Sequence, residues 1–129
     1  MFAIGLALSL AMAGDISQRR FPICGEGRRV TCVVDGDTFW LDRVKYRIAD
    51  IDAPEVSNPR CQAEARLAGQ ATVRLAQMLS AGPFQLETRG LDRYGRTLAV
   101  VSRSGYSFGG RLVREGLARS WGDTRGWCN

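Results

Sequence analysis

The chain has 129 residues, of which 45% are hydrophobic and 24% are charged, and this is enough material for one globular domain with a single core. The formal net charge is +5, and Lys45 is the sole lysine, so the positive charge is carried almost entirely by arginine, which suits phosphate groups. The chain contains no histidine, which excludes Ser-His and Cys-His catalysis and the usual zinc-hydrolase sites, because each of these needs an imidazole. A general base in this protein has to be a carboxylate or an amine.

The chain begins with an uncharged apolar run, residues 2–13, that ends in the small-x-small pattern Ala11-Met12-Ala13. This pattern is typical of a signal peptide cleaved before Gly14, and it predicts a secreted or periplasmic protein. A membrane anchor is the alternative, but the run is shorter than the roughly 20 residues that span a bilayer. We therefore expect a signal peptide at residues 1–13, an N-terminal arm without regular structure at 14–28, and a folded domain at 29–129.

Short β-branched segments bounded by turns predict three strands in the first half of the domain, at residues 29–34, 38–41 and 44–51. Arg47 and Asp52 are five residues apart, so in one regular strand their side chains would face opposite sides of the sheet. If both serve one site, the strand must end or bulge before Asp52.

The sequence of the second half of the domain predicts one long helix, two further strands and a short helix. Asn58-Pro59 resembles a helix start, apolar residues recur at helical spacing through residues 63–79, and Gly82-Pro83 ends the helix. Strands follow at residues 84–88 and 97–102, and a short helix at 107–115. Five strands, with a long helix between the third and fourth and a short helix near the C-terminus, predict a mainly β member of the α+β class. This order suits an OB-type barrel, although periodicity also fits other small α+β folds.

The four cysteines are Cys24, Cys32, Cys61 and Cys128. An even number behind a signal-like segment indicates two disulfides with three alternative pairings, and the irregular spacing matches no Cys-x-x-Cys metal site. We expect Cys24 to pair with Cys32, tying the arm to the first strand. Cys61 would then pair with Cys128, tying the end of the chain to the start of the long helix.

The strands predicted at 38–41 and 44–51 would form a hairpin. Carboxylates lie at both ends of this hairpin, and an arginine lies in its second strand. Asp35 and Asp37 precede the hairpin, Asp52 and Glu55 follow it, and Arg47 lies between them. Carboxylate oxygens bind hard cations such as calcium, and a guanidinium matches two oxygens of one phosphate. A glutamate can take a proton from water. For an isolated Asp-Gly-Asp, however, capping of backbone amides in a turn is the commoner role.

Four motifs in chain order resemble the staphylococcal nuclease (thermonuclease) family: Asp35-Gly36-Asp37-Thr38, Arg47, Asp52-Ala53-Pro54-Glu55 and Asp92-Arg93-Tyr94-Gly95-Arg96. The resemblance covers residues 29–121. It implies that the fold is a five-stranded OB-fold barrel. It also implies that calcium is bound by Asp37, Asp52 and the backbone carbonyl of Ala53. Asp35 would not contact the ion directly but would lie next to these ligands. The remaining implied roles are a general base at Glu55, phosphate-gripping arginines at Arg47 and Arg96, and nucleotide contacts from Arg93 and Tyr94.

Aromatic residues that stack on bases are expected near a single-strand groove, and Trp40 and Trp121 are candidates. A core position is the commoner role for tryptophan, and we expect it for both. The tyrosines that the best-known member of the family places after its Gly-Leu-Ala segment have no match after Gly116-Leu117-Ala118.

The resemblance implies a secreted, calcium-dependent nuclease that hydrolyses DNA and RNA with low sequence specificity and leaves 3′-phosphates. We expect a monomer without a stable protein partner and without membrane association after signal cleavage. The alternative is a catalytically silent nucleic-acid-binding module of the same fold, which loss of a metal ligand, the base or an arginine would favour. A secreted structural domain explains the cysteines, but it leaves the carboxylate and arginine set without a role.

Overall fold

A computed structural model of the protein describes residues 13–128. The predicted signal peptide lies outside these residues, apart from the backbone of Ala13. Within the described range, no helix combines the length and the apolar character that crossing a membrane requires.

The described chain forms nine strands and two helices. In chain order they are β1 (Ala13–Ile16), β2 (Cys32–Asp35), β3 (Thr38–Leu41), β4 (Val44–Ile48), β5 (Ile51–Asp52), α1 (Gln62–Ser80), β6 (Phe84–Leu91), β7 (Thr97–Arg103), β8 (Tyr106–Ser107), α2 (Phe108–Arg114) and β9 (Arg119–Ser120).

The strands form one large sheet and one small one. The large sheet has the order β1-β6-β7-β4-β3-β2, with β8 paired to β7, and β5 pairs with β9 in the small sheet. The β4–β7 pair is parallel, and the other strand pairs are antiparallel. The five predicted strands correspond to β2, β3, β4, β6 and β7, so the predicted α+β class is confirmed. Closure of the large sheet into a barrel stays a prediction.

The core lies between the inner face of the sheet and the two helices. Alternate residues of the strands and one stripe of each helix contribute its side chains, as the periods of two and 3.6 residues require. The largest fully buried side chains include Phe39, Phe108, Ile48, Leu75 and Leu112. This core holds the β2–β3 turn, the end of β4 and the start of α1 in fixed positions.

The prediction of an arm without regular structure is wrong at the start of the arm. β1 pairs with β6 as an edge strand, and Phe21 is 2% exposed, packing edge-on against Phe39. The sequence of β1, Ala-Gly-Asp-Ile, lacks the β-branched alternation that predicts a strand, so its structure comes from backbone hydrogen bonds to β6.

The long helix begins later than the sequence predicts. Asn58 has φ of 57°, a left-handed conformation from which a right-handed helix cannot start. The capping residue is Cys61, whose sulfur accepts a hydrogen bond from the Glu64 amide at 3.4 Å. The predicted end is confirmed, since α1 stops at Ser80, just before Gly82-Pro83.

The structure pairs the cysteines as expected. Cys24 and Cys32 are joined with their Cα atoms 4.9 Å apart, and Cys61 and Cys128 with theirs 6.1 Å apart. The second disulfide spans 67 residues and attaches the C-terminal segment to Cys61, the capping residue of α1.

Candidate active site

The β2–β3 turn carries two buried aspartates. The Asp37 amide donates to Asp35 Oδ1 at 3.3 Å. Asp37 Oδ1 accepts from the Thr38 hydroxyl at 2.9 Å, and Asp37 Oδ2 accepts from the Ala53 amide at 2.9 Å. The Asp37 carboxylate therefore connects the β2–β3 turn to the segment that follows β5.

Gly36 allows this connection. A Cβ at position 36 would lie 2.7 Å from the Cβ of Ala71 on α1 and 3.0 Å from the Cβ of Ala53. The turn therefore packs directly against the helix and the Ala53 segment, and a side chain at this position would separate them.

Arg47 is the centre of the site. It is 8% exposed, and its Nη1 donates to the carbonyls of Ile48 at 2.6 Å and Ile51 at 2.9 Å. Its Nη2 donates to Asp37 Oδ2 at 3.2 Å and Asp52 Oδ1 at 3.3 Å. These contacts require β4 to end at Ile48 and the chain to turn before β5, so the predicted interruption before Asp52 is confirmed.

Asp52 and Glu55 lie at the open side of this cluster. The Asp52 side chain is 48% exposed, and Glu55 is exposed. The amide of Glu55 donates to Glu64 Oε2 at 3.1 Å. The predicted base is therefore accessible to solvent while its backbone is attached to α1.

The connection between β6 and β7 presents Arg96. Asp92 organises this loop, since its carboxylate accepts from the Tyr94 amide at 2.9 Å and from the Arg96 amide and Nε at 2.9 and 2.7 Å. Arg93 Nη2 donates to the Tyr94 hydroxyl at 2.9 Å, and the guanidinium of Arg96 lies 5.3 Å from the Tyr94 ring centroid.

Two neighbouring pockets contain the predicted site residues other than Asp35 and Asp37. The first, about 430 Å³, brings together the side chains predicted to grip phosphate and nucleotide, and it is lined by Arg47, Arg93, Tyr94, Arg96 and Trp121, among others. The second, about 490 Å³, includes Asp52, Ala53 and Glu55. The Arg47–Asp52 ion pair joins the two pockets, and Asp35 and Asp37 are buried beside it.

Negative charge is in excess around Asp37. Burial and the Asp37 carboxylate raise the pKa of Asp35 well above its ordinary value. Burial, followed by the charge of Asp37, also raises the pKa of Asp52 and that of Glu55. Arg47 opposes both of these shifts without cancelling them. A further cation near these carboxylates would be electrostatically stabilised.

The donor set suits a hard cation in part. Within residues 13–128, no group of three or more Asp, Glu, His or Cys side chains is arranged to hold a metal ion. Oxygens of Asp37 and Asp52 nevertheless converge on one nitrogen of Arg47, at 3.2 and 3.3 Å. Two carboxylates that converge on one positive charge, one of them half-exposed, match the oxygen chemistry of calcium, with other ligands supplied by a backbone carbonyl, water or phosphate.

Sequence reasoning missed Glu64 and assigned the wrong environment to Trp121. Glu64 is 4% exposed and holds the backbone of the Glu55 loop. It is the third helical residue after the capping residue Cys61, and a glutamate at this spacing from a cap is the pattern that could have revealed it. Trp121 was expected in the core, and this is wrong, because it is 67% exposed at the first pocket. Trp40 is half-buried.

Comparison with known proteins finds a matching family and several relatives of this chain. A family model described as "Staphylococcal nuclease homologue" matches residues 45–125. A thermonuclease of Staphylococcus intermedius is 31% identical over 114 residues, which cover 83% of this chain and 67% of the relative. A micrococcal nuclease of Shigella flexneri is 32% identical over 69% of this chain and 55% of its own length. An uncharacterized endonuclease of Haemophilus influenzae is 34% identical over 72% of this chain and 46% of its own length.

The matched segments thus span between about half and two thirds of the relatives. The family model covers more than half of this chain, including Arg47, Asp52, Glu55 and Arg96. The three relatives of this chain are named as nucleases or endonucleases. On these grounds the chain is a member of the staphylococcal nuclease family.

Proposed function

We propose that the protein is an exported, calcium-dependent nuclease that hydrolyses phosphodiester bonds of DNA and RNA. The observation that carries the proposal is the position of Arg47. Its guanidinium faces two converging carboxylates on one side and lines, with Arg96, an open pocket on the other. The names of the relatives support the reaction class.

Hydrolysis of a phosphodiester requires donors for the phosphate oxygens and a base for the attacking water. Arg47 and Arg96 supply the donors, and their forked guanidinium groups fit paired phosphate oxygens. Arg93 and Tyr94 extend the same surface. Glu55, which is exposed beside these groups, takes the proton from water.

Asp37, Asp52 and the carbonyl of Ala53 would hold the calcium ion, and Asp35 would support Asp37 through the hydrogen bond within the turn. When bound, the ion would neutralise charge on the phosphate. These residues would hold it beside the arginines and the base.

Low sequence specificity follows from the chemistry of the pocket. Arginine side chains contact phosphate, which is the same at every nucleotide. The exposed rings of Tyr94 and Trp121 can stack on any base. We propose attack at phosphorus with release of the 5′-oxygen, so that products carry 3′-phosphates.

Two disulfides suit an oxidising compartment, which supports the proposal that the protein is secreted or periplasmic. We propose that it acts as a monomer without a stable protein partner and without membrane association after signal cleavage.

The test is cleavage of single-stranded DNA and RNA by purified protein, with calcium or with a chelator, beside Glu55→Gln. We expect calcium-dependent cleavage that falls about a hundredfold or more in the variant, the usual effect of losing a general base. End-labelled products should carry 3′-phosphates.

A nucleic-acid-binding module without catalysis is the competing function. If wild-type protein binds DNA but cuts it no faster than Glu55→Gln does, the nuclease proposal is wrong and the binding module replaces it. Calcium-independent cleavage would overturn the metal assignment alone.

A further inference from the structure

Glu64 makes an unusual pair of contacts for a residue in a helix. It lies in the first turn of α1 and is 4% exposed. Its Oε2 accepts from the Glu55 amide at 3.1 Å, and its Oε1 accepts from the Arg60 amide at 2.9 Å. Each carboxylate oxygen is therefore bonded to a different end of one loop.

This loop, residues 54–60, depends on Glu64 for its shape. Residues 55–60 are exposed. In the part of the chain that the structure describes, the backbone hydrogen bonds of the loop are the two that it donates to Glu64. A segment with few buried contacts and few hydrogen bonds is easily displaced.

Glu64 itself is held rigidly. The helix that carries it is packed on the core through Ala68, Ala71 and Leu75. The capping residue three positions earlier is bonded through its sulfur to Cys128. Backbone hydrogen bonds from Arg60 and Glu55 lower the pKa of Glu64 despite its burial, so the carboxylate is ionised and both bonds are charge-assisted.

We propose that Glu64 is a positioning residue that fixes the backbone of Glu55 and thereby aims the Glu55 carboxylate at the attacking water. This inference rests on the proposed nuclease function. It follows from the two hydrogen bonds that hold both ends of the loop, because a carboxylate on an exposed loop is otherwise free to move. Misplacement by about 1 Å is enough to lower a rate by about a hundredfold.

The first test is Glu64→Gln, in which one oxygen becomes an NH2 group that cannot accept a hydrogen bond. We expect kcat to fall by about tenfold or more with KM changed less than twofold, since Arg47 and Arg96 still bind phosphate. Amide hydrogen exchange at Glu55 and Arg60 should accelerate.

The matched control is Glu115→Gln, which removes an ion-paired glutamate at the C-cap of α2 and leaves the Glu55 loop untouched. It should lose stability but keep wild-type kcat. Glu64→Asp serves as a second variant if Glu64→Gln does not fold, with the same expected loss of kcat.

The decisive test is the double variant with Glu55→Gln. If Glu64 acts through Glu55, adding Glu64→Gln to Glu55→Gln should lower kcat by less than twofold further. A full, multiplicative loss in the double variant would overturn the inference, and so would wild-type kcat in Glu64→Gln. Inactive wild-type protein would instead overturn the proposed function, and the inference with it.

Discussion

The guanidinium of Arg47 lies against the indole of Trp121, with Cζ 5.1 Å from the ring centroid. The Trp121 amide donates to the Asp50 carbonyl at 3.0 Å, so the backbone beneath the ring is anchored next to β5. Trp121 is nevertheless 67% exposed. Its ring therefore borders the pocket that contains Arg47 and Arg96 and has surface available for a base.

Trp121→Ala should weaken substrate binding more than it slows chemistry. Stacking of one base on an aromatic ring contributes about 1–3 kcal/mol, so we expect KM for a single-stranded oligonucleotide to rise about tenfold, with kcat within a few-fold of wild type. Trp121→Phe is the control, because it keeps a ring and should change KM little. Equal KM values for all three proteins would remove Trp121 from the binding surface.

Gly36→Ala should destabilise the fold. The added Cβ would lie 2.7 Å from the Cβ of Ala71, and overpacking of this kind costs about 1–3 kcal/mol. The matched control is Gly69→Ala, an exposed position within α1 where a Cβ meets nothing within 4 Å; it should stabilise by about 0.5–1 kcal/mol. Denaturant titration measures both, and a neutral Gly36→Ala would contradict the close packing of turn and helix.

The two disulfides should contribute unequally to stability. Replacing Cys61 and Cys128 by serine releases a loop of 67 residues, whereas replacing Cys24 and Cys32 releases one of 8. In the chain-entropy account the expected losses are about 4 and about 2–3 kcal/mol. Serine at position 61 preserves a good helix cap, so the Cys61–Cys128 variant loses the cross-link without losing the cap. Unfolding free energies of the two double variants provide the measurement, and a larger loss at Cys24–Cys32 would contradict it.

Stability should fall in acid through Glu115. Hydrogen bonds and charge from Arg74 and Arg111 lower its pKa from 4.5 to about 2. Because the folded pKa lies below the unfolded value, the stabilisation is complete above pH 4.5 and is lost as the pH falls towards 2. Glu115→Gln should be less stable than wild type by about 0.5–1 kcal/mol at neutral pH, as expected of a partly exposed pair. This difference should vanish near pH 2, and a constant difference across the range would exclude the ion pairs as its cause.

Much of the fold could be predicted because local patterns report local structure. The β3–β4 hairpin, the presence of α1 and its end before Gly82-Pro83 follow from alternation, helical period and helix-breaking residues. The α2 helix was also predicted closely, since Ser107 caps it and Gly116 follows it with φ of 77°. β1 and the start of α1 could not be predicted in this way, because β1 depends on a partner strand distant in sequence and the helix start depends on the backbone conformation at Asn58.

The sequence by itself determined the chemistry that this protein can perform. It contains no histidine, it places carboxylates on both sides of Arg47, and the order of its motifs indicated the family. Only the tertiary structure decided how these groups are arranged, because side-chain contacts between distant segments are not encoded in spacing. The turn before β5 brings Asp52 to Arg47, the close packing at Gly36 places Asp37 beside Ala53, and the burial of Glu64 ties the Glu55 loop to α1.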